Sequence, residues 1–237
     1  MQTRDVELGH FAAPEAGAPP GIVLIHDVWG LGDHSRDLAR RLADAGFGAL
    51  ALDLYRREGE VKIGDPGAWM RALSDPQVIA DVQAGIDFLA REAPTAGRPV
   101  GVTGVCMGGM YALLAACTCR GLAAAVPFYG MLSYEHGLLH AEGGLDRERK
   151  PRQPLDAVAD LRCPLLAFFG AEDAFIPAAD IAVLNERLGA TAQPSDVVVY
   201  PGAGHAFLND TRPEAYRPEV ARDAWGRMLA FFREHLR

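Results

Sequence analysis

The sequence predicts an α/β protein, one domain built on a mostly parallel sheet with helices on both faces. Three observations predict it. Continuous apolar runs recur along the chain, as in strands buried on both faces of a parallel sheet. Segments with helical spacing alternate with them, the order that builds such a sheet. The chain has 237 residues, 49% hydrophobic and 23% charged, enough for one sizeable core.

The elements follow in order. Residues 5–11 alternate weakly and suggest a short first strand, and a Pro/Ala/Gly connection follows to Pro20. The first buried strand spans residues 21–26 and empties into a glycine-containing loop, Asp27 to Gly32. Asp33 is placed as a helix N-cap, with Leu38, Leu42 and Ala45 on one face and Gly46 closing the helix. A second strand covers residues 47–53, and a charged, glycine-bearing loop covers 55–67. Val78, Val82, Ile86 and Leu89 recur at helical spacing within a helix expected over 76–93. Strands are expected at 100–103, 122–128, 164–170 and 196–200, and helices at 110–117, 178–188 and 214–235. Residues 130–160 read as a lid or a solvated excursion, because they carry the run Asp146-Arg147-Glu148-Arg149-Lys150.

Composition excludes several classes. The net charge of −8 disfavours a nucleic-acid footprint. No stretch approaches ~18 consecutive apolar residues, so no membrane span is expected. The N-terminal residues lack an apolar signal region, and the four cysteines (106, 117, 119, 163) do not form a disulfide framework. A cytoplasmic protein, monomeric or a small homo-oligomer, is the expectation.

The chemistry centres on Gly104-Val105-Cys106-Met107-Gly108, between a predicted strand and a predicted helix. This is the G-x-S-x-G nucleophile elbow with sulfur in place of oxygen. Such a turn exposes the reactive atom at a helix N-terminus, where the dipole favours a thiolate. Taken alone, the pentapeptide equally fits a buried small thiol at a tight packing point. Two later loops favour the functional reading. Asp173 follows the strand at 164–170, and His205 follows the strand at 196–200. Nucleophile, acid, histidine is the chain order of α/β-hydrolases. In this reading His205 exchanges a proton with Cys106, and Asp173 orients the imidazole; Glu172 is a rival acid. His26, His34, His136, His140 and His235 lack such placement, and His10 precedes the core. Backbone N–H groups of Met107 and Val28 are nominated as oxyanion donors.

These residues, with Ile25-His26-Asp27-Val28-Trp29-Gly30, Asp53-Leu54-Tyr55, Gly170-Ala171-Glu172-Asp173 and Gly204-His205-Ala206-Phe207, resemble the dienelactone hydrolase family. The resemblance runs from about Gly21 onward. It implies a Cys106–His205–Asp173 triad and hydrolysis of small-molecule esters or lactones through a thioester, with no metal or cofactor. The family carries a glutamate that modulates the cysteine, and the matching residue here is Asp27, one methylene shorter. It also uses arginines to hold a substrate carboxylate. Asn209 stands where one is expected, and only Lys62 and Arg71 lie near the other position. Neutral donors hold a carboxylate less firmly than a bidentate guanidinium, so the expected substrates are neutral or aryl esters. Trp29, Tyr55, Tyr129 and Phe207 are assigned to the pocket wall. A ligand-binding module and a thiol redox sensor are the competing functions.

Overall fold

A computed structural model of the chain describes residues 1–237 apart from Glu60 and Ala93. Among the described residues, eight strands form one sheet: β1 (Gln2–Val6), β2 (Gly9–Ala13), β3 (Gly21–Ile25), β4 (Gly48–Leu52), β5 (Val100–Val105), β6 (Leu122–Phe128), β7 (Leu165–Gly170) and β8 (Ser195–Tyr200). Their spatial order is β1-β2-β4-β3-β5-β6-β7-β8. Pairing from β4 through β8 is parallel, and β1 and β2 add two antiparallel rungs at one edge.

The buried strands are where the apolar runs predict them. Every residue of β3, β4, β5 and β7 is buried, the signature of strands covered on both faces. The first predicted strand is corrected to a hairpin. The weak alternation over 5–11 straddles the turn between β1 and β2, and β1 is almost wholly exposed, so no apolar period marks it.

The helices are α1 (Asp33–Asp44), α2 (Pro66–Ala72), α3 (Asp75–Arg91), α4 (Met107–Thr118), α5 (Pro154–Ala157), α6 (Ala178–Gly189) and α7 (Pro218–His235). Gly32, not Asp33, is the N-cap of α1. The expected end of α3 at Ala93 lies outside the described residues, as does Glu60 in the charged loop. The sequence offered no helix inside 55–67, yet α2 begins there. Asp65 caps it by accepting from the Ala68 N–H at 3.0 Å, and Pro66 stands in its first turn. A seven-residue helix is too short for its apolar period to stand out. Among the described residues, no helix is long and apolar enough to cross a membrane.

Helix α4 is buried from Met107 to Cys117, apolar on all sides. It packs against β5 and β6, with α3 alongside. On the other face Phe47 meets Phe232 of α7 edge-on, with ring centroids 6.1 Å apart. The sheet therefore drives β5 straight into a helix at the centre of the molecule.

The excursion at 130–160 is anchored, not solvated padding. Leu139 and Lys150 are fully buried. Lys150 Nζ donates to Asp75 Oδ1 at 2.6 Å, and the hydroxyls of Tyr111 and Tyr134 donate to the same carboxylate at 2.9 and 2.6 Å. The last residue of a charged run thus turns inward and ties the excursion to the start of α3 and to α4.

Candidate active site

The carboxyl ends of β3, β5, β6 and β8 converge on one cleft, as open parallel sheets place their ligands. Cys106 sits between β5 and α4 with φ 57° and ψ −118°. A non-glycine residue rarely adopts this region, and the surrounding chain holds it there. A Cβ on Gly104 would stand 2.2 Å from the Gly108 carbonyl oxygen, and one on Gly108 would stand 2.1 Å from the Ile25 oxygen. Both glycines are required by close approach of backbone. The Cys106 N–H donates to the Phe128 oxygen at 3.1 Å, fixing the turn against β6.

His205 follows β8, and Asp173 follows β7. His205 Nδ1 lies 2.7 Å from Asp173 Oδ2. The other carboxylate oxygen accepts from the Phe175 N–H at 2.9 Å, which holds the acid in register. Asp173 is buried, whereas Glu172 points to solvent. Tyr129 and Phe175 meet the imidazole edge-on, with centroids 5.1 and 5.0 Å away. Burial alone would lower the imidazole's pKa. Asp173 and the Cys106 sulfur outweigh it and push His205 up to about 10. His205 Nε2 is nonetheless buried without a partner in hydrogen-bonding geometry. The Cys106 sulfur still acts on the ring by raising its pKa, and such contacts commonly tighten only around substrate.

The raised pKa predicts a pH dependence of stability. The charged imidazole is favoured in the folded state, so its contribution is full below the unfolded value of about 6.5 and fades as pH rises toward about 10. The melting-temperature difference between wild type and His205→Gln should be flat at acidic pH and shrink between those limits. A difference that grows with pH would contradict the charged pair.

The cleft beside Cys106 is tight, with a volume of about 20 Å³. Trp29, Tyr129 and Asn209 line it, as does Asp27. The Asp27 Oδ1 accepts from the Trp29 N–H at 2.9 Å, so this carboxylate is engaged by its own loop. Asn209 Oδ1 accepts from the Thr211 N–H and hydroxyl at 3.0 and 2.7 Å, forming a turn.

Four residues assigned to substrate stand outside the cleft wall: Tyr55, Lys62, Arg71 and Phe207. Arg71 donates to the Leu138 oxygen at 2.6 Å, linking α2 to the excursion. Lys62 is on the exposed stretch before α2. Phe207 is fully buried against Tyr129, centroids 5.0 Å apart. Tyr55 lies behind the loop, where its hydroxyl donates to the Val28 oxygen at 2.9 Å. One cation was missed. Arg212 lines the cleft and lies 3.6 Å from Glu214, so the wall is not free of positive charge. Its position three residues past Asn209 became informative only once the turn at Asn209 was seen. A larger depression of about 390 Å³ lies in the excursion, around Tyr134, His140, Arg147 and Arg152. No cysteine or serine lines it, so chemistry rather than size selects the cleft at Cys106. Among the described residues no cluster of side chains is arranged to hold a metal ion.

Neither the Val28 nor the Met107 N–H has a hydrogen-bond acceptor among the described residues. One is on the loop after β3, and the other follows Cys106 in the first turn of α4. A thiol and a carboxylate-held imidazole at one small cleft suit acyl transfer.

Comparison with known proteins agrees. The dienelactone hydrolase family model matches residues 9–236. A candidate carboxymethylenebutenolidase of Methylorubrum extorquens is 35% identical over 230 residues, 94% of this chain and 75% of that protein. A candidate 2-oxo-3-(5-oxofuran-2-ylidene)propanoate lactonase of Bradyrhizobium is 34% identical over 97% of this chain and 90% of its own. The crystal structure of a candidate dienelactone hydrolase from Klebsiella pneumoniae superposes with a TM-score of 0.83 at 33% identity, covering 94% of this chain and 91% of that one. From β2 to the end of α7, then, this chain is a member of the dienelactone hydrolase family, hydrolases of ester and lactone bonds.

Proposed function

We propose that the protein, a single α/β-hydrolase domain over residues 1–237, hydrolyses small carboxylic esters or lactones with Cys106 as nucleophile. The observation that carries this reading is the Asp173–His205 pair at 2.7 Å, aimed into the cleft that holds the Cys106 sulfur. The thiolate attacks the carbonyl carbon, and the N–H groups of Val28 and Met107 receive the oxyanion. The tetrahedral intermediate collapses, the C–O bond breaks, and His205 protonates the departing alkoxide. The imidazole pKa of about 10 keeps that proton available at neutral pH. Water then attacks the thioester, gives its proton to His205 and releases the acid, which restores the thiolate. Asp173 holds the imidazole and offsets its charge throughout.

The cleft's size favours small acyl groups: at about 20 Å³ it lies far below the ~300–1,000 Å³ range of drug-sized sites. Arg212 is offset by Glu214 and by the Asp27 carboxylate on the same wall, which favours acyl groups without a free carboxylate. All four thiols are unpaired, which suits a reducing cytoplasm, and we take the protein to act there as a monomer or small homo-oligomer.

The test is rapid quenching of wild type with a short p-nitrophenyl ester, followed by intact and peptide mass measurement. One acyl group is expected, on the peptide containing Cys106. Steady turnover with no acyl adduct under any quench condition would remove the thioester from the mechanism.

A further inference from the structure

The buried His26 imidazole precedes the cleft-lining residue Asp27 and does not itself line the cleft. Its Nε2 accepts from the Leu54 N–H at 3.2 Å. An amide N–H can only donate, so Nε2 is unprotonated and Nδ1 carries the hydrogen. That Nδ1–H donates to the Asp27 oxygen at 2.5 Å. The Asp27 carbonyl and the Val28 N–H belong to one planar peptide unit, and they point in opposite directions. A donor fixed on the oxygen side therefore aims the N–H side, and it polarises the amide as well.

The next peptide is held in the same way. Tyr55 donates to the Val28 oxygen at 2.9 Å, and its ring meets His26 edge-on with centroids 4.9 Å apart. The Tyr55 hydroxyl also touches the Met107 sulfur at 3.5 Å, so one phenol borders both residues whose N–H groups face the oxyanion. We propose that His26, backed by Tyr55, is a positioning residue that orients the Val28 N–H toward the transition-state oxyanion. Resting on the hydrolase reading above, this adds a residue that the sequence pattern set aside. Burial lowers the imidazole's pKa against the nearby Asp27 and Asp53 charges and keeps the neutral donor–acceptor tautomer in place.

The test separates amide orientation from nucleophile reactivity. Ester turnover develops an oxyanion; alkylation of Cys106 by iodoacetamide does not. Loss of an oxyanion donor costs roughly 10²–10³ in kcat, and a misaimed one is expected to cost about 10- to 100-fold. His26→Phe should lower kcat by that factor with KM nearly unchanged, while the alkylation rate stays within about two-fold of wild type. His26→Asn, whose side-chain amide can replace the Nδ1–H donor, should recover part of the loss. Tyr55→Phe deletes only one hydroxyl and keeps the test open if His26→Phe melts early; it should lower kcat in the same sense. The proposal is overturned if both Phe variants keep wild-type kcat, or if alkylation falls in parallel with turnover. Turnover that survives Cys106→Ala would defeat the underlying hydrolase reading instead, and is measured first.

Discussion

Cys106→Ala is expected to lower kcat/KM for any hydrolysed ester by about 10⁴-fold or more, as removal of the nucleophile does in enzymes of this logic. That corresponds to at least about 5.5 kcal/mol of transition-state stabilisation. The fold should persist. Alanine keeps the Cβ that the elbow at φ 57° already accommodates, and it removes only a half-buried sulfur. Cys163→Ala is the control. That thiol is buried just before β7, and burial pushes its pKa up to about 12, so it offers no nucleophile at neutral pH. Matched losses in both variants would mean a general effect of thiol removal, and Cys106 would have no special role. Initial rates on a short p-nitrophenyl ester suffice to decide.

The second large effect concerns stability. Lys150→Met is expected to destabilise the fold by roughly 3–5 kcal/mol, the cost of leaving a buried charge without its partner. Asp75 would keep the hydroxyls of Tyr111 and Tyr134, but two neutral donors do not neutralise a carboxylate in a dry site. For a chain of this size that is a fall in melting temperature of roughly 6–20 °C. Adding Asp75→Asn should return part of it, because the double variant buries no net charge. A single variant as stable as wild type would mean that Asp75 takes up a proton at little cost. The consequence reaches the site, since Tyr111 is on α4, five residues past Cys106. The cluster anchors the excursion to the helix that carries the nucleophile.

The parallel core was legible because burial on both faces leaves a run of apolar residues with no polar interruption. Strands β3 to β7 stand out for that reason, and helices α1 and α3 stand out by the helical spacing of their apolar residues. The β1–β2 hairpin and α2 did not. One is an exposed edge, and the other is under two turns long, so neither imposes a period. Lys150 was the plainest failure. It closes a run of charges that reads as solvated, and only the approach of Asp75, Tyr111 and Tyr134 from distant segments turns it inward.

The site divides along the same line. Strand ends in a parallel sheet must gather at one edge, so a cysteine elbow after one strand, with an acid and a histidine after two later ones, announces a shared cleft from the order of residues alone. That much the amino-acid order determines, because it is a matter of connectivity. Which loop side chains face the cleft is a matter of backbone dihedrals two or three residues past each strand. There the sheet no longer imposes direction, and only the folded chain decides it. So Tyr55 and Phe207 turn behind the wall, Arg212 turns into it, and His26 aims a neighbouring amide while touching nothing that reacts.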